Sequence, residues 1–175
     1  DDIKDAAVWS IFFSLLIIFL YILFRFRKWQ FSLGAVAAVF HDVLIVLSIF
    51  SVCYGIMPFS LEIDQAFIAA ILTIIGYSLN DTVVVFDRVR EYLGMHKKRE
   101  IEMVMNSALN STLSRTINTS MTTFFVLLVI FIFGGEVIRG FMFALMVGVL
   151  VGTYSSLFVA SPIMLDTLKR KNIKK

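Results

Sequence analysis

Through most of this chain apolar residues neither alternate nor recur every third or fourth place; they run on. Residues 6–24, 31–57, 66–86, 116–133 and 140–165 are long stretches of Phe, Ile, Leu, Val and Ala with few polar interruptions. About 20 helical residues cross the ~30 Å hydrocarbon core of a bilayer. Strands of a membrane barrel are about 10 residues long and alternate apolar with polar. The pattern therefore predicts an all-α, polytopic membrane bundle of five spanning helices, read as a single domain over 1–175.

Composition agrees: 59% of the 175 residues are hydrophobic and 17% charged, with 18 Phe and a mean hydropathy of +0.88. A soluble domain is about 45–50% apolar and about a quarter charged, so one soluble core could not hide this much apolar surface. Cys53 is alone, which excludes an internal disulfide and a cysteine-based metal site. His41 and His96 fall on different elements and follow no ligand spacing. No phosphate-binding glycine loop, HExxH, CxxC or nucleophile elbow occurs. The expectation is no metal, no cofactor and no enzyme. The chain begins Asp1-Asp2-Ile3-Lys4, with no basic segment or cleavage site of a signal peptide, and is expected to be part of something longer.

The net charge of +3 matters less than where the charges sit. Arg25, Arg27 and Lys28 lie between the first two segments. Arg88, Arg90, Lys97, Lys98, Arg99 and Arg115 lie between the third and fourth, and Lys169, Arg170, Lys171, Lys174 and Lys175 follow the fifth. Only Lys4 and Arg139 fall on the other side, beside Asp1, Asp2, Asp5, Glu62, Asp64 and Glu136. The positive-inside rule makes the basic side cytoplasmic: the N-terminus starts outside and the C-terminus ends inside. Nucleic acid is not an expected partner. In the connection 87–114, Ile101, Val104, Met105, Ala108 and Leu109 recur at the helical period, which predicts an amphipathic helix on the membrane surface against lipid headgroups.

Polar groups inside a bilayer cost free energy unless paired or hydrated, so each one needs a reason. His41-Asp42 lies about 16 Å into the second segment at ~1.5 Å per residue, near mid-membrane. Adjacent helical residues point about 100° apart, so the pair cannot chelate a metal by itself; a hydrogen-bonded staple and a place in a proton path both fit it. Asn80-Asp81 stands near the inner end of the third segment. Burial disfavours a charged carboxylate and a nearby cation favours it again, so a membrane carboxylate with a cationic neighbour can load and release a proton. Arg115, Asn118, Thr119 and Thr122 form one polar stripe at the start of the fourth segment, predicted to line a hydrated cavity or bond across helices, with Arg115 as partner to Asp81. Ala144, Gly148 and Gly152 form a small-residue ridge on the fifth, suited to close helix packing. Pro162 predicts a kink or stop near its inner end.

The block Gly76-Tyr77-Ser78-Leu79-Asn80-Asp81-Thr82-Val83-Val84-Val85-Phe86-Asp87-Arg88-Val89-Arg90-Glu91 resembles the signature of the SecF family, one half of the SecDF accessory complex of bacterial protein export. His41-Asp42, Leu113-Ser114-Arg115-Thr116-Ile117-Asn118-Thr119-Ser120 and Phe133-Gly134-Gly135 stand where that family has its other recurring motifs.

The resemblance implies half of a pseudo-symmetric unit of the resistance–nodulation–division type, here without the family's first helix and periplasmic domain, from a separate SecF or the end of a SecDF fusion. It implies residence in the bacterial inner membrane with SecD, the SecYEG translocon with its accessory subunits, and a preprotein as partners. Protons would be the coupling ion, with Asp81 as the essential carboxylate, Arg115 as its modulator, and His41, Asp42, Asn80, Asn118, Thr119 and Thr122 in support. A proton-driven exporter of small molecules or lipids and a non-transporting translocon scaffold are the rival readings.

Overall fold

Continuous apolar sequence satisfies its backbone polar groups best as helix, because lipid supplies no hydrogen-bond partners. The computed structural model describes residues 2–173; Asp1, Lys174 and Lys175, counted among the charges above, lie outside the described residues. The helices are α1 (Asp2–Phe26), α2 (Trp29–Cys53), α3 (Gln65–Met95), α4 (Ile101–Phe133), α5 (Glu136–Ser155) and α6 (Ser161–Ile173), with a π-helical turn, Ser156–Ala160, between the last two. Five stretches are long and apolar enough to cross a membrane, the last running through the π turn as Glu136–Arg170.

α2, α3 and α5 form the centre, α3 packing most extensively on α5; α4 flanks α3 and α5, and α1 lies along α2. The core is aliphatic and aromatic, with Ile22, Phe31, Ile71, Ile74, Phe86 and Met164 among its fully buried side chains. Phe31 stacks on Phe26 at a ring separation of 5.0 Å and meets Phe86 edge-on at 5.2 Å, tying α1, α2 and α3 together at the basic end. The small-residue ridge lies in the α3–α5 contact. Ala144, Gly148 and Gly152 are buried, and a Cβ at Gly148 would overlap the Ile74 side chain.

Two boundaries differ from the sequence reading. The second segment is not helical to residue 57: α2 stops at Cys53, and Gly55, at φ +76°, carries the chain through a turn before Pro58. A side chain is strained at that φ. The connection 87–114 is not a surface helix. Residues 87–95 continue α3, residues 101–114 begin α4, and the link is only 96–100. The 31 residues of α3 and 33 of α4 correspond to about 46 and 50 Å at ~1.5 Å per residue, so both outrun the bilayer core and extend beyond it. The apolar stripe faces protein instead of lipid: Val104, Met105 and Ala108 are buried, with Ile101 and Leu109 packed against the core. Pro162 does not end the fifth span; it follows the π turn, and the helix resumes to Ile173.

Candidate functional site

Two carboxylates lie within the centre of the bundle, and both are buried. Asp42, on α2, accepts three hydrogen bonds. Ser78 Oγ of α3 donates to its Oδ2 at 2.5 Å and Ser155 Oγ of α5 at 2.8 Å; His41 Nδ1 stands 3.1 Å from its Oδ1. One side chain thus staples three helices. His41 projects toward the surface beside the Tyr154 ring, 6.4 Å between ring centres.

The π turn extends this layer. Ser156 Oγ lies 2.8 Å from Thr82 Oγ1 and donates to the Gly152 carbonyl at 2.9 Å, with the Ser78 carbonyl 3.4 Å away. Ser161 Oγ closes back on the Ser156 carbonyl at 3.0 Å. The wider turn holds consecutive serines, Ser155 and Ser156, both inside the bundle.

Asp81, on α3, faces α4. Its Oδ2 accepts from Ser120 Oγ at 3.3 Å, and Thr153 Oγ1 of α5 donates to Ser120 Oγ at 2.5 Å. Toward the charged end, α3 and α4 enclose a cavity of about 260 Å³ lined by Val84, Asp87, Arg88, Glu91, Ser111, Thr112 and Arg115. At its mouth Arg88 pairs with Glu91 at 2.8 Å, and Asp87 pairs with Arg25 of α1 at 2.8 Å. Lys169 of α6 pairs with Glu102 of α4.

The residues singled out from sequence are only partly brought together. Asp81 and Arg115 share the α3–α4 seam but form no ion pair. Among the described residues Arg115 has no carboxylate partner; it is exposed at the cavity. The stripe Arg115, Asn118, Thr119 and Thr122 does not face the interior of this chain. All four are exposed, as is Asn80. The face of α4 turned to α3 is the neighbouring one, Thr112, Thr116 and Ser120. Short hydroxylated side chains let two helices approach, whereas Arg and Asn hold them apart.

Sequence reasoning did not single out Ser78, Thr82, Ser120, Thr153, Ser155 and Ser156, the hydroxyls that surround the two carboxylates. Their signal was available: Thr112, Thr116 and Ser120 recur every fourth residue, and Ser155-Ser156 interrupts an apolar span.

Fold and site define a polytopic helical membrane protein with carboxylates buried in a hydroxyl-lined centre. A family model described as "Protein export membrane protein SecD/SecF, C-terminal" matches residues 1–170. The protein translocase subunit SecF of Rhodothermus marinus is 61% identical over 170 residues, 97% of this chain and 55% of that protein. The SecDF of Brucella abortus is 46% identical over 95% of this chain and 21% of its own length. The crystal structure of SecDF from Thermus thermophilus, titled a translocon-associated membrane protein, superposes with a TM-score of 0.84 at 41% identity, covering 95% of this chain and 22% of that one. The chain belongs to the SecD/SecF family of protein-export membrane proteins. It spans about half the length of the SecF relatives it matches.

Proposed function

We propose that this chain is the carboxyl-proximal membrane part of a protein-translocase subunit that couples proton flow to preprotein export. In this reading it sits in the bacterial inner membrane with its basic end in the cytoplasm, joined to a SecD-type half and working beside SecYEG. Protons serve as the coupling ion, and no other cofactor is required.

The observation that carries the reading is Asp81. It is a carboxylate buried at membrane depth, held by one hydroxyl at 3.3 Å rather than locked into an ion pair. A group so placed exchanges a proton with little rearrangement, and the exchange changes the charge at the α3–α4 seam. The exposed stripe Arg115, Asn118, Thr119 and Thr122 supports a partner half, because polar side chains at that depth need polar company. Arg115 then stands as a fixed positive charge on the seam that Asp81 shares. Asp42, with His41, supports the scaffold against which α3 moves.

One charge falling through 100 mV releases about 2.3 kcal/mol. Driving a two-state element from 1:99 to 99:1 takes about 5.5 kcal/mol, so one proton biases the cycle and three complete it. The test is Asp81→Asn in the full-length parent assembled with its partner half. Proton-motive-force-dependent export should fall to the level seen without the complex while copurification of the halves persists. Undiminished export removes Asp81 from the mechanism and favours the scaffold reading.

A further inference from the structure

A proton held on Asp81 must reach water, and the seam between α3 and α4 indicates where. The cavity lined by Asp87, Arg88, Glu91, Thr112 and Arg115 lies between α3 and α4, its lining residues one to three turns along each helix from the buried Asp81–Ser120 pair on the charged side. Between the two stands Thr116. Its side chain is 1% exposed, and its hydroxyl finds no hydrogen-bond partner in the protein.

That is unusual for a helical threonine, whose hydroxyl commonly returns to the carbonyl three or four residues back. Thr73, Thr112, Thr119, Thr122, Thr123 and Thr167 all do so, Thr82 bonds to Ser156 and Thr153 to Ser120. A stranded buried hydroxyl forfeits its hydration without a bond in return. A valine would fill the same volume without that cost.

Position explains the choice. Thr112, Thr116 and Ser120 are one helical turn apart on the buried face of α4. Four residues rise about 6 Å, the span of one water making two hydrogen bonds of ~2.8 Å each. Thr112 lines the cavity and Ser120 holds the carboxylate.

Resting on the function proposed above, we propose that Thr116 is the relay hydroxyl between Asp81 and a water-filled vestibule that opens to the cytoplasm between α3 and α4. Protonated Asp81 gives its proton to a water; that water gives one to Thr116 Oγ1; Thr116 gives its own hydrogen to a water on the vestibule side. At the relaying water and at Thr116 one O–H bond forms and one breaks; Asp81 ends as the carboxylate, the vestibule water carries the proton away, and the hydroxyl ends as it began after turning. Arg115, at the vestibule wall, disfavours the return of a proton.

The experiment compares Thr116→Val and Thr116→Ser in the full-length parent with its partner half, measuring proton-motive-force-dependent export, with Asp81→Asn alongside. Valine keeps the volume and removes the hydroxyl, so export should slow roughly tenfold or more with assembly intact; serine should restore most of the parental rate. Where valine prevents assembly, Thr116→Ala takes its place and must fall below serine. A valine variant at the parental rate beside an inactive Asp81→Asn overturns the relay and leaves the carboxylate's role standing. Serine as slow as valine, or alanine as fast as serine, also overturns the relay. An active Asp81→Asn overturns both.

Discussion

Gly152→Ala probes the contact on which the polar centre depends. A Cβ at position 152 would lie 2.9 Å from Ser78 Cβ, 3.2 Å from its Oγ and 3.3 Å from its Cα. Carbon atoms in contact prefer about 3.5–4.0 Å, so α5 and α3 must part or Ser78 must shift. Either movement disturbs the 2.5 Å bond from Ser78 to Asp42. Forcing a methyl into a packed interface costs about 1–3 kcal/mol, and a buried group deprived of its bond about 1–3 kcal/mol more. Alanine returns up to ~1 kcal/mol of helix propensity. The expected net loss is about 3 kcal/mol, read as a shift in the SDS-induced unfolding of the purified protein in mixed micelles, followed by circular dichroism and tryptophan fluorescence. The decisive step is a double-mutant cycle with Ser78→Gly, which removes the colliding Cβ and Oγ together. If the damage runs through Ser78, adding Gly152→Ala to that background costs less than about 1 kcal/mol, a coupling of about 2 kcal/mol. Additive losses, with a coupling below ~0.5 kcal/mol, would refute the reasoning.

Two further outcomes follow from the same geometry. Asp42→Ala strands the Ser78 hydroxyl, while Ser155 retains the Gly152 carbonyl at 3.2 Å; destabilisation of about 1–3 kcal/mol is expected in the same titration, and Asp42→Asn, which keeps an acceptor oxygen, should lose less. Arg25→Ala breaks the Arg25–Asp87 pair, whose side chains are 42% and 40% exposed. Solvent screens such a pair, so unfolding should shift by less than about 1 kcal/mol; a larger shift would mean that the pair clamps α1 to α3 beyond its electrostatics.

Membrane residence, the number of spans and the two conspicuous carboxylates were legible in the residue order, because each is a local property. A run of some twenty apolar residues has one stable fate in lipid, and an Asp within it is conspicuous whatever surrounds it. The small ridge of α5 was legible for the same reason: Gly148 and Gly152 sit one turn apart in any helix.

Rotation and partnership were not local. Arg115, Asn118, Thr119 and Thr122 make the stronger polar stripe by composition, yet α4 turns the quieter face of Thr112, Thr116 and Ser120 to α3, because close packing favours short side chains over polar count. The helical period along 101–109 was correctly visible, but whether its stripe met lipid or protein depended on α3 and α4 extending together past the bilayer. The serines that hold Asp42 come from positions 36 and 113 residues away along the chain. No sequence window contains those distances. They exist only once α3 and α5 have closed on α2, and the π turn that keeps Ser155 and Ser156 inward is set by the packing around it.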